Sequence, residues 1–171
     1  MNYPIRTHGA LPALMSLLLL TTACGSARAQ AAPPQWWGNL NLASHHFSGE
    51  DGFLAQGDRF NEFNPGIGVE VQWQPRHAVA AGYFRNSVDE NSLYALYHYT
   101  PLQLGRYVRV GAMLGVVTGY PGYNDGGLAP GGGVVAKIEG KRFGANLIYL
   151  PQISDVTPNT LGLQVKLRFG P

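Results

Sequence analysis

The stretch LGLQVKLRF, residues 161–169, alternates apolar and polar positions without a break. Leu161, Leu163, Val165, Leu167 and Phe169 fall on one face, and Gly162, Gln164, Lys166 and Arg168 fall on the other. Period two over this length predicts a β-strand, because successive side chains of an extended chain point to opposite sides. Val108, Val110, Ala112, Leu114 and Val116 alternate in the same way with Tyr107, Arg109, Gly111, Met113 and Gly115. Phe143, Ala145, Leu147 and Tyr149 alternate with Arg142, Gly144 and Asn146. The whole pattern predicts eight strands, at about 36–47, 63–74, 77–85, 91–100, 106–118, 131–138, 141–150 and 161–169. No segment repeats at the 3.6-residue helical spacing.

The distribution of residues between the two faces sets the fold class. Lys and Arg share a face with Gln and Gly while every Leu takes the other, the lipid-out, polar-in arrangement of an outer-membrane strand. The expected fold is therefore all-β, an eight-stranded antiparallel up-and-down transmembrane β-barrel, with a secreted β-sandwich as the alternative. Connection lengths separate the two. A long loop at 48–62 precedes a short turn at 74–76, and 86–90 precedes a turn at 101–105. Then come 120–130, a tight turn at 139–140, and a last loop at 151–159. Longer loops thus fall at every second connection, as in barrels with short periplasmic turns and long outer loops. An even strand count returns the C-terminus to the periplasm. Phe169 resembles the terminal aromatic of outer-membrane proteins, although Gly170 and Pro171 follow it here.

The first residues change the count of charges. Arg6 and His8 precede the apolar run ALPALMSLLLLTTA (10–23), which is too short for a membrane-spanning helix, and Ala27-Arg28-Ala29 has the small-x-small form of a signal-peptidase site. A signal peptide over 1–29 and a barrel domain over 30–171 are expected. Lipoprotein processing at Cys24 competes with this, but Thr21-Thr22-Ala23 suits it poorly. Cleavage after Ala29 removes the only cysteine, and with it disulfide and thiol chemistry. It also takes Arg6 and Arg28 from the twelve basic residues, leaving ten against ten acidic ones. A near-neutral chain without basic clusters gives no footprint for nucleic acid. Its charged fraction of 13 % is about half that of an ordinary soluble domain, which fits a chain with lipid around it.

The barrel reading assigns the interior. Inward charges gather toward the turn ends: Glu70, Arg109, Arg142, Lys166 and Arg168, with Lys137 or Glu139 nearby. Buried charges need partners, so a paired polar plug is expected there. Gly66, Gly68, Gly115 and Gly162 lie toward the loop ends. They either line a hollow able to take an acyl chain or only allow strands to approach and bend in a narrow barrel. Eight strands leave no room for a pore. At the loop-bearing rim, His45 and His46 end the first strand and Arg85-Asn86-Ser87 end the third, with Asn61, Glu62 and Asn64 between them. A hydroxyl, an imidazole and amides are what acyl transfer requires. Polar residues also belong at rims for solvation alone. His77 and His98 are expected to pack within the wall, and Trp36, Trp37, Trp73, Tyr97 and Tyr99 to be interfacial aromatics. No metal-ligand spacing or phosphate loop occurs, so no metal or cofactor is expected.

The order of these pieces resembles the lipid A palmitoyltransferases of the Gram-negative outer membrane. The resemblance rests on a rim His after the first strand, on RFNEFNPGIGVEVQW (59–73), on AAGYFRNS (80–87), and on LRF closing the chain after LIYLPQISDVTPNTLGLQ. It implies an eight-stranded barrel that moves an acyl chain from phospholipid to lipid A in the outer leaflet without a cofactor. Carried over by position, the family Ser is Ser87 and the His is His46 or His45. Strand alternation points His45 inward with Asn39, Asn41 and Ala43, while loop spacing to Asn61 favours His46. The family Asp is replaced by Asn86, which orients by hydrogen bonding but cannot ionise. Glu62, Asp89 or Glu90 could supply the missing charge. The long N-terminal amphipathic helix of the family also has no counterpart in this sequence. Implied partners are lipopolysaccharide and phospholipid, with a monomeric protein in the outer membrane. The alternative is a non-catalytic structural or adhesive barrel. A lipid A deacylase would show a His-x-Ser-Asn signature, which this sequence lacks.

Overall fold

The computed structural model describes residues 33–47, 59–153 and 157–170. The expected leader 1–29, its cleavage point, Cys24, the start of the barrel domain at 30 and most of the first loop lie outside the described residues. Eight strands make up most of the described residues: β1 Gln35–His46, β2 Phe63–Gln74, β3 His77–Arg85, β4 Asn91–Leu104, β5 Val108–Val117, β6 Ala129–Glu139, β7 Phe143–Leu150 and β8 Thr160–Phe169. Each pairs antiparallel with its sequence neighbour, and β1 pairs with β8, so the sheet closes into a barrel. Closure gives every ladder a partner and leaves no free edge. One 3-10 turn, Asn124–Gly126, sits in the loop between β5 and β6.

Outward positions carry exposed apolar side chains such as Leu40, Ile67, Leu93, Leu114, Phe143 and Leu167. The buried positions between them are largely polar. This inverts a soluble core and matches a barrel in hydrocarbon.

Four local details depart from the pattern-based reading. First, β4 runs through 101–104 and turns only at 105–107, beyond the expected turn at 101–105. Pro101 has no N–H for the ladder, so a bulge between Tyr99 and Leu102 absorbs it and pairing resumes at Leu102 opposite Val110. Second, the register of β1 shifts between Asn41 and Ala43 against both of its neighbours. One extra residue reverses the alternation beyond it. His45, expected inward, is therefore exposed, as is Ala43, and His46 takes the more sheltered side. Third, Trp37, expected at the interface, is buried inside the barrel with the Lys166 ammonium 4.7 Å from its ring centroid. Fourth, Arg142, expected inward, lies exposed in the turn between β6 and β7.

The interior near the short turns is filled by charge. Lys137 Nζ and Lys166 Nζ donate to Glu70 Oε1 at 2.7 and 3.0 Å, and Asn146 Nδ2 donates to Glu70 Oε2 at 3.0 Å. Lys166 also donates to Glu139 Oε1 at 2.6 Å, whose other oxygen accepts from Arg109 at 3.2 Å. Amides continue inward: Asn146 Nδ2 to Gln164 Oε1 at 3.1 Å, then Gln164 Nε2 to Asn41 Oδ1 at 2.5 Å. His98 is fully buried, its Nδ1 3.6 Å from Glu70 Oε2. The expected plug is present, with a carboxylate at its centre and both Lys137 and Glu139 in it.

Candidate rim site

Backbone bonds fix the order of elements at the loop end. Ser44 N donates to Glu62 O at 3.0 Å, and Asn61 N donates to Ser87 O at 2.8 Å. The short segment 59–62 therefore lies between the end of β1 and the end of β3. Adjacent extended chains are about 4.8 Å apart, so the histidines and Ser87 belong to strips roughly 10 Å apart.

Each candidate residue has a different partner. His45 Nδ1 and Glu62 Oε1 form an exposed pair at 2.7 Å, and the His45 ring meets Phe47 edge-on. Glu62, one of three carboxylates that could have replaced the family Asp, thus joins an imidazole. His46 stacks on Phe60 with ring centroids 4.0 Å apart, and its Nδ1 finds no hydrogen-bond partner among the described residues. Ser87 is buried, and the Tyr120 phenol of the next long loop lies close enough to act on it electrostatically. Burial pushes the Tyr120 phenol up to about 12, while the Ser87 contact opposes the shift. Asp89 accepts from Asn61 Nδ2 at 2.9 Å and lies 3.6 Å from Arg85 Nε.

Asn86 has no capacity left. Its Nδ2 donates to Ser92 Oγ at 3.0 Å and to Gly119 O at 2.6 Å. Its Oδ1 accepts from Val88 N at 3.0 Å and Glu90 N at 2.8 Å. Two donors and two lone pairs are the full inventory of an amide. These bonds wind the β3–β4 loop and tie it to Gly119, where φ is +86° and a side chain would strain the backbone. The amide organises the loop and orients neither histidine.

Three of the four interior glycines, Gly66, Gly68 and Gly115, sit where neighbouring atoms crowd. A methyl group on Gly66 would meet Tyr83 O and the Phe84 side chain, and one on Gly68 would meet the Tyr94 hydroxyl. One on Gly115 would meet Ala95 O, whereas at Gly162 the nearest atom, Ile148 Cβ, is 3.8 Å away. Phe84 and Tyr94 meet edge to face at 5.9 Å over this region. Among the described residues no group of three metal-ligating side chains occurs. Tyr120, Phe60 and Tyr94 were not singled out by sequence. Only the Gly-rich loop that carries Tyr120 was visible, without a cue to its partner.

No family model matches this chain, and no curated protein matches it. Among solved structures, the solution NMR structure of the de novo designed protein TMB2.3 aligns with a TM-score of 0.56 at 16% identity, covering 82% of this chain and 98% of that one. The N-terminal β-barrel domain of Pseudomonas aeruginosa OprF aligns with a TM-score of 0.48 at 13% identity, covering 78% of this chain and 97% of that one. The fold is that of a closed, eight-stranded antiparallel up-and-down β-barrel.

Proposed function

We propose that the protein is an integral outer-membrane barrel that is held and surrounded by lipid and transfers no acyl chain. One observation carries the reading: the residues needed for transfer are engaged apart from one another. Ser87 is buried near Tyr120, His46 lies on Phe60, and Asn86 is saturated by its own loop and Gly119. The occupied space beside Gly66 and Gly68 supports it as well, since an acyl chain would compete there with Phe84 and Tyr94. The ion-pair plug around Glu70 speaks for a closed lumen rather than a pore.

A second reading, transfer of a phospholipid acyl chain to lipid A, is favoured by the imidazole–carboxylate pair of His45 and Glu62. Such a pair holds the imidazole in one orientation as a base. In that reading His45 or His46 takes a proton from the Ser87 hydroxyl or from the acceptor.

Mass spectrometry of lipid A and phospholipids from cells carrying the intact chain separates the two. An unchanged lipid profile, with the protein folded in the outer membrane fraction, is expected. A new acylated lipid A that vanishes in Ser87→Ala and in His45→Ala/His46→Ala would overturn the non-catalytic reading.

A further inference from the structure

The two ends of the barrel differ in charge. Among the described residues, Glu62, Asp89, Glu90 and Asp125 are exposed at the long-loop end, where Arg59 is the exposed cation. At the short-turn end the exposed charges are Arg76, Arg106, Lys141 and Arg142, with at least one cation on each turn. The described carboxylates nearest that end, Glu70 and Glu139, are turned inward and neutralised by Lys137, Lys166 and Arg109. The plug therefore removes negative charge from this end and leaves the turns uniformly positive.

The turns are also joined into a continuous collar. Thr100 N donates to Arg76 O at 2.8 Å, linking the β2–β3 turn to β4. Glu139 N donates to Tyr107 O at 2.8 Å, and Arg168 N donates to Arg142 O at 2.7 Å, linking the next two turns to β6 and β8. The cations thus stand on a fixed ring rather than on free loops.

Directly beside Arg76, the outer wall carries a groove of about 400 Å³ lined by His77, Tyr97, Tyr99, Ala112 and Leu114. Strand register builds it. Tyr99 lies opposite both His77 and Ala112, and Tyr97 lies opposite Leu114, so the small Ala112 leaves a depression below two phenol rings. The Tyr97 hydroxyl and His77 Nδ1 are hydrogen-bonded at 2.5 Å, and Trp73 stacks on both rings at just over 6 Å. This fixes a polar edge above an apolar floor. Phenol and imidazole tips at the headgroup level, with hydrocarbon-filling surface beyond them, suit an amphiphile better than a soluble anion.

We infer that this groove and the adjoining collar seat an anionic glycerophospholipid, its phosphate held by Arg76 and one acyl chain lying along Ala112 and Leu114. Charge complementarity selects the occupant: a zwitterionic lipid brings no net charge to a collar with no exposed acidic side chain among the described residues. The inference rests on the membrane-spanning reading above, and sodium carbonate extraction of membranes checks that part separately.

The test uses the full chain, expressed with its leader and purified folded in a non-ionic detergent, with lipid retention followed by native mass spectrometry. Phosphatidylglycerol and phosphatidylcholine of identical chains are titrated in parallel. Preferential retention of phosphatidylglycerol is expected, falling about fivefold in Arg76→Gln, because a cation near an anionic headgroup contributes several-fold. Ala112→Phe, which fills the groove from outside the barrel, should abolish retention while the heat-modifiable folded band persists. Arg59→Gln, at the opposite end, should leave the preference unchanged. Equal retention of both lipids, or unaltered retention by Ala112→Phe, overturns the seat. So does displacement by free glycerol phosphate at the concentration of bound lipid, which would indicate a simple anion site. If the chain is released by carbonate, the membrane-spanning reading fails first.

Discussion

Removing the charge of Glu70 tests the interior directly. Glu70→Gln keeps shape and one acceptor, but leaves two ammonium groups facing a neutral amide. The two lysines are not equally exposed to this loss. Lys166 keeps Glu139 at 2.6 Å and the Trp37 ring, whereas Glu70 is the only hydrogen-bond partner of Lys137 among the described residues. One buried, uncompensated cation costs about 3–5 kcal/mol, a large part of the 5–15 kcal/mol that holds a typical domain together. Urea unfolding in phospholipid vesicles, followed by Trp fluorescence, should show a loss of about 3 kcal/mol for Glu70→Gln. Glu70→Gln/Lys137→Met should recover most of it, since the orphaned charge has been taken away as well. A Glu70→Gln barrel within about 1 kcal/mol of the parent would refute the reasoning, because Lys137 would then have another partner of equal worth. So would a double variant less stable than the single one.

Asn86→Asp restores the carboxylate of the resembled family, yet it should destabilise the loop by about 1–3 kcal/mol by replacing a donor with an oxygen facing Ser92 Oγ and Gly119 O. Limited proteolysis between β3 and β4 measures this. Gly115→Ala should lower the yield of folded barrel on refolding gels, since its methyl group would meet Ala95 O, whereas Gly122→Ala has open space and should refold like the parent. Tyr120 gives a pH signature. Its phenol is raised from 10.0 to about 12 in the folded chain, so its contribution to stability is complete below about pH 10 and is lost as pH rises through about 12. Ultraviolet titration of the parent minus Tyr120→Phe should contain a single phenolate step near 12, and a step near 10 would contradict the burial.

Strand number, the lipid-facing side and the plug were legible because period two and charge placement are written residue by residue. The bulge in β1 was not, since Asn41, Leu42 and Ala43 contain no proline or glycine to announce it, and it reversed the expected sides of His45 and Ala43. Trp37 misled for a different reason. An indole fits an interface on composition, but the register put it over Lys166. At the rim, sequence supplied the right neighbourhood without the pairings. Whether Asn86 spends its amide on a histidine or on Val88, Glu90, Ser92 and Gly119 depends on loop closure across 33 residues, which no local pattern encodes.

The hub at Glu70 draws its partners from β6, β7 and β8, with β4 close by, while its own strand is β2. Those strands are far apart along the chain and come within reach only once β1 has met β8. A half-inserted, open sheet would present the bare Glu70 carboxylate and the bare Lys137 ammonium to hydrocarbon, each of them costly there, with Lys166 left to Glu139 alone. Charge pairing and seam closure are therefore one event. The barrel should enter the bilayer in an all-or-none manner, with the hub penalising every arrangement in which the seam is still open.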